Sequence, residues 1–81
     1  MHVAKAQHAT RYRRLPKQLR ELRERAGLTQ RGLAAKLRVT HVFVHKSEVG
    51  DRRVDIGEFL DWCTACGADP HVEFRRFAEH R

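Results

Sequence analysis

From Leu15 onward the apolar positions fall at helical spacing. Leu15, Leu19, Leu22 and Ala26 recur every three or four residues, and Pro16 suits a first turn, where an amide hydrogen would have no partner anyway. Gly27 is placed to stop the chain in a left-handed cap, so this pattern predicts a helix over residues 15–26. Thr29 then caps a shorter helix that turns Leu33, Ala34 and Leu37 inward, with small Ala34 permitting a close neighbour. After a turn around Arg38 and Val39, Thr40 caps a third helix running to Val49, with Gly50 as its stop. Val42, Phe43 and Val44 lower helix propensity by roughly a few tenths of a kcal/mol each, a cost that tertiary packing overrides.

Asp55 and Glu58 form a D-x-x-E capping pattern for a fourth helix. Its broad apolar face holds Ile56, Phe59, Leu60, Trp62, Cys63 and Cys66, and Gly67 ends it. Asp69 as cap and Pro70 in the first turn open a fifth helix carrying Val72, Phe74 and Phe77. Five helices, no strand and short connections predict an all-α bundle over residues 14–81. Residues 1–13 have no apolar periodicity and are expected to be a flexible basic tail. There is no internal repeat and no low-complexity run.

Charge adds a partner class to this picture. The 81 residues hold 17 Lys+Arg against 10 Asp+Glu, a formal +7 with a sequence pI near 10.5. Such a surface favours polyanions. The first 14 residues carry Lys5, Arg11, Arg13 and Arg14 and no acid; the 13 basic and 10 acidic residues that follow leave the body only +3. No apolar run approaches the ~20 residues of a membrane span and no secretory core opens the chain, so a cytoplasmic protein without a membrane partner is expected. One small domain leaves no room for an elaborated active site. No carboxylate pair, nucleophile–base set or phosphate loop is present, and no enzyme and no cofactor are expected.

The most specific constellation is the pair of short helices at 29–37 and 40–49 joined by a three-residue turn. A helix-turn-helix uses this layout to lay its second helix in the DNA major groove while the first braces it across the backbone. The residues carry a family likeness as well. "LRELRERAGLTQ", then "LAAKL", then Lys46, Glu48 and Gly50 in K-x-E-x-G, and finally "GADP" at the end of the fourth helix stand in order at fixed spacings. The stretch from Leu19 to Pro70, about two thirds of the chain, resembles the Cro/repressor-type (XRE) helix-turn-helix domain. The resemblance implies a repressor-like five-helix DNA-binding bundle.

It also implies roles. Gln30, beside the cap Thr29, would bond a DNA phosphate where backbone N–H groups also point outward. Thr40, His41, Val42, His45 and Lys46 match groove-facing positions of the third helix, and Val44 matches an inward one. Arg52 and Arg53 match loop positions that hold the DNA backbone. Arg23 and Glu48 match an Arg–Glu pair tying the first helix to the third. The groove set makes chemical sense: Val42 can touch a thymine methyl, the histidines donate or accept at base edges, and Lys46 reaches a guanine or a phosphate.

A rival arrangement is metal. His41 and His45 as H-x-x-x-H with Cys63 and Cys66 as C-x-x-C supply a two-Cys, two-His set. The cysteine pair lies within a helix, however, and Cys66 falls on its apolar face while inward Val44 turns the histidines outward. No metal site and two reduced thiols are therefore expected. Three residues depart from the family pattern. Arg38 stands where glycine commonly ends the second helix, which requires a left-handed conformation or a different turn; Ser47 replaces an apolar residue and needs a partner, such as the carbonyl one turn back; Val49 replaces a polar one.

The expected function is sequence-specific regulation of transcription by a homodimer on operator DNA, since one short recognition helix reads too few base pairs. Phe74 and Phe77 are the candidates for the dimer seam, against completion of the core. The second expectation is an antitoxin-like module on the same fold, whose main work is binding a protein partner.

Overall fold

Capping chemistry sets the helix starts. Thr29, Thr40 and Asp55 sit in extended backbone, and their side-chain oxygens accept from the N–H groups of Gly32, Phe43 and Glu58 at 2.9, 3.1 and 2.8 Å. Glu58 returns the favour by accepting from the Asp55 N–H at 3.0 Å, completing the reciprocal cap expected from D-x-x-E. The computed structural model describes residues 11–79, which form α1 (Arg14–Arg25), α2 (Gln30–Leu37), α3 (His41–Val49), α4 (Ile56–Ala65) and α5 (Pro70–Glu79), with no strand among the described residues. Each helix starts within one residue of its expected place, and the fold is the all-α repressor-like bundle.

The turn between α2 and α3 shows how Arg38 takes the place of a glycine. It adopts φ 59° and ψ 43°, the left-handed conformation that usually falls to glycine, at a cost of roughly 1–2 kcal/mol. The Val39 N–H then donates to the Ala34 carbonyl at 3.0 Å, closing the turn and aiming the chain into the Thr40 cap. Gly50 repeats the conformation at φ 86° and ends α3.

Leu15, Leu19 and Leu22 of α1 meet Leu33 and Ala34 of α2, Val44 of α3, Val54, and Phe59, Trp62 and Cys63 of α4. Trp62, fully buried, satisfies its indole by donating to the Leu19 carbonyl at 3.1 Å. Burial pushes the Cys63 thiol up to about 11 and raises the half-buried Cys66 as well, so both remain protonated near neutrality.

One expectation needs correction. Ile56 and Leu60, assigned to the apolar face of α4, are 63% and 45% exposed; that face is narrower and runs through Phe59, Trp62 and Cys63 at i, i+3 and i+4. On α5 the inward register is set by Pro70, Glu73 and Phe77, so Val72 and Phe74 point outward and the buried side chain is an acid. Arg11 and Tyr12 are helical, and the Tyr12 hydroxyl accepts from the Val54 N–H at 2.6 Å. The rest of the expected tail, 1–10, lies outside the described residues. Among the described residues no helix is long and apolar enough to cross a membrane.

Candidate nucleic-acid interface

On α3 the exposed residues are Val42, His45, Lys46 and Val49, at i, i+3, i+4 and i+7. They form one stripe along the helix. Val44, Ser47 and Glu48 are buried on the other side. Ser47, fully buried, donates its hydroxyl to the Phe43 carbonyl at 2.7 Å, the partner one turn back that the sequence suggested. The substitution of a polar residue into the core is thereby satisfied without turning the helix.

A polar chain fixes this helix against its neighbours. Glu48, 2% exposed in its side chain, receives a two-pronged bond from Arg23 of α1, Nε at 2.6 Å and an Nη at 3.0 Å. This is the expected Arg–Glu pair, and it holds the Arg23 guanidinium still more firmly in its charged form. The other Nη of Arg23 donates to the Leu28 carbonyl at 2.8 Å. Gln30, at the start of α2, donates its amide to Glu48 at 3.0 Å, and its amide oxygen lies 3.1 Å from Nε2 of His41. Gln30 is thus half-buried, with one of its two amide hydrogens left for a phosphate.

The two loop arginines differ. Arg52 lays its guanidinium on Glu58, with both contacts at 3.0 Å, and over the Phe43 ring at 3.9 Å. It is engaged within the protein, bracing the loop between α3 and α4. Arg53 is exposed and stacks over Tyr12, 4.7 Å from the ring centre. Thr29 and Thr40 are exposed at the helix starts, and their hydroxyls serve as caps. His41 and His45 lie side by side, ring centres 6.4 Å apart and nearly parallel. The α3 stripe, His41, Gln30 and both caps therefore belong to the α2–α3 face.

Phe74 and Phe77 lie elsewhere, in an apolar groove of about 280 Å³ with Tyr12, Leu15, Ile56 and Phe59. Phe77 is half-buried against the core, whereas Phe74 is 53% exposed. Among the described residues no group of three or more His, Cys, Asp or Glu side chains is placed to share a metal ion. Two residues escaped the sequence reading. Arg31, exposed beside Gln30 at the α2 N-terminus, is signalled only by its neighbour; Tyr12, the brace of Arg53, was hidden in a stretch without apolar periodicity.

The family model described as a helix-turn-helix domain matches residues 14–77. A solved structure of an XRE-family like protein from Pseudomonas syringae pv. tomato str. DC3000 is 38% identical, over 96% of this chain and 95% of that one, with a TM-score of 0.87. The chain belongs to the XRE-type helix-turn-helix family. A second similar structure, the clp gene regulator ClgR from C. glutamicum, is 28% identical over 84% of this chain and 88% of that one, with a TM-score of 0.75. No curated protein matches. Membership makes this XRE-type protein a DNA-binding regulator of transcription by fold.

Proposed function

We propose that this XRE-type protein is a sequence-specific transcriptional regulator that occupies operator DNA as a homodimer. The observation that carries the reading is the exposed stripe Val42, His45 and Lys46 on a helix held in place by buried bonds to α1 and α2. Val42 and His45 meet base edges, Lys46 a base or a phosphate, and His41 the base nearest the start of α3. Thr29, Gln30 and Thr40, with the neighbouring N–H groups at the helix starts, seat the backbone. Arg53 adds a phosphate contact and Arg52 supports the loop from within. A repressor acting in the cytoplasm fits this plan.

The dimer seam in this reading is the groove beside α5, with Phe74 projecting into the second copy and Phe77 forming its floor. Exposed Ile56 extends the same apolar surface. Those exposed apolar residues also favour the second reading, a module that binds a protein partner in antitoxin fashion.

Selection of bound sites from a random duplex pool tests both. The regulator reading expects a two-fold motif with half-sites one DNA turn apart, ~34 Å, and binding that falls steeply with salt. Weak binding without any sequence preference, together with a tight protein partner, favours the second reading.

A further inference from the structure

We propose that His41 reads DNA as a hydrogen-bond acceptor whose tautomer is locked from within the protein by Glu48 through Gln30. The inference rests on the DNA-binding reading above and goes further, to the class of base recognised.

Glu48, held by Arg23, is a carboxylate and only accepts. The end of the Gln30 amide that lies 3.0 Å from it must therefore be the NH2 group. An amide is planar and two-ended, so its carbonyl oxygen is the atom 3.1 Å from Nε2 of His41. A carbonyl only accepts, so Nε2 carries a proton and donates. A neutral imidazole has a single N–H, which leaves Nδ1 with a lone pair. No described residue bonds Nδ1, and it is not among the buried polar atoms lacking a partner, so it is open to solvent. His41 is the first residue of α3, at the end of a recognition helix that reaches base edges.

A lone pair at that place matches a base that offers an amine in the major groove. Adenine and cytosine do so through N6 and N4, whereas guanine and thymine present acceptors there and meet the lone pair unfavourably. Free histidine could turn either nitrogen outward. In this protein the choice has been made two residues away, by a buried carboxylate that never approaches the DNA.

Two measurements test this. In the first, nitrogen-resolved NMR of the isotope-labelled full chain without DNA, at about pH 8 where an imidazole is neutral, should show His41 with a slowly exchanging proton on Nε2 and a bare Nδ1. Gln30→Met should lose that proton signal to rapid exchange. A proton on Nδ1, or two tautomers interconverting in the unmodified protein, overturns the lock.

In the second, sites are selected from a random duplex pool by the unmodified protein and by H41A, which identifies the base pair beneath His41, and a photoreactive base placed there on each strand in turn identifies which of its two bases faces the histidine. Adenine and cytosine together should be preferred there by about tenfold over guanine and thymine. Gln30→Met should flatten the preference at that position while preserving it elsewhere; a purely structural effect would weaken all positions alike. A guanine or thymine preference there, or a uniform loss in Gln30→Met, overturns the proposal. If the unmodified protein selects no sequence at all, the regulator reading fails and base reading by His41 fails with it. The NMR result then still decides whether the lock exists.

Discussion

Both α3 and α5 bury a glutamate bonded to an arginine of α1, yet they hold it with different firmness. Glu48 of α3 takes a two-pronged bond from Arg23, whose side chain is only 11% exposed. Glu73 of α5 is equally enclosed, at 5% side-chain exposure, but its arginine partner, Arg25, is 52% exposed and makes one contact at 3.3 Å. Gln18 also bonds Glu73, at its carbonyl at 2.8 Å and its carboxylate at 3.1 Å, and exposed Arg76 lies 3.6 Å from the carboxylate oxygen that Arg25 meets. On the outer sides, α3 presents His45 and Lys46 between valines, and α5 presents Val72 and Phe74 among His71, Arg75 and Arg76. In the reading proposed above, α3 must match base edges to within a hydrogen bond and is clamped in angle and register, whereas α5, offering Phe74 to a deformable apolar partner, needs only to be kept from turning over.

The widest separation between the two helices should appear on removing the arginines. Arg23→Ala leaves Glu48 buried with only the Gln30 amide as donor, and breaking such a pair costs about 3–5 kcal/mol. Urea unfolding should show that loss. A change below about 1 kcal/mol would mean that water reaches Glu48 and that α3 is not clamped as described. Replacing both partners, Arg23→Met with Glu48→Leu, should recover much of the stability, because no uncompensated charge then remains. The same double variant should lose operator selectivity, since Gln30 no longer has a fixed partner.

Phe74→Glu addresses the outer side of α5. The residue is half-exposed, so thermal unfolding of the monomer should change by no more than about 0.5 kcal/mol. Its effect should fall on association: sedimentation should show a shift toward monomer, and operator affinity should drop by roughly tenfold or more, since a central aromatic anchor is worth about 2 kcal/mol. A dimer of unchanged strength would place the seam elsewhere. Arg25→Ala comes next in size. Gln18 still holds Glu73, and an exposed single contact contributes no more than about 1 kcal/mol.

The sequence made α3 legible more fully than α5, for a physical reason. Family spacing and 3.6-residue periodicity agreed on α3, down to the Ser47 hydroxyl finding the Phe43 carbonyl and Arg38 taking the left-handed conformation. On α5 the apolar residues Val72, Phe74 and Phe77 were visible in sequence but the face each takes was not: the register from Pro70 turns Glu73 inward and leaves Val72 and Phe74 exposed. An acid is read as a solvent-facing residue unless its partners are known, and Gln18 and Arg25 lie about fifty positions away in sequence. Tyr12 was missed on the same account: its partner is a backbone N–H at Val54, which no side-chain pattern announces. Arg52 shows the reverse. Its likeness to a backbone-holding position was visible, while Glu58, already spoken for as a cap, hid the competing bond.

In that last pair both partners are part-exposed, at 30% and 28%, with no deeply buried charge between them, and it should give the smallest effect. Bonding to Arg52 holds the Glu58 carboxyl below its ordinary range. A carboxylate with a lowered folded value stabilises the protein above the unfolded value of about 4.3, and the gain is lost as pH falls through the lower folded value. Glu58→Gln keeps an oxygen for the Asp55 N–H and removes the charge. Near pH 7 it should therefore be less stable than the parent by about 0.5–1 kcal/mol, after allowance for solvent screening. The gap should close between about pH 5 and pH 3, where the parent loses its own charge. A gap that stays constant across that window would assign the difference to the cap geometry, and Arg52 would then be free to swing outward to DNA.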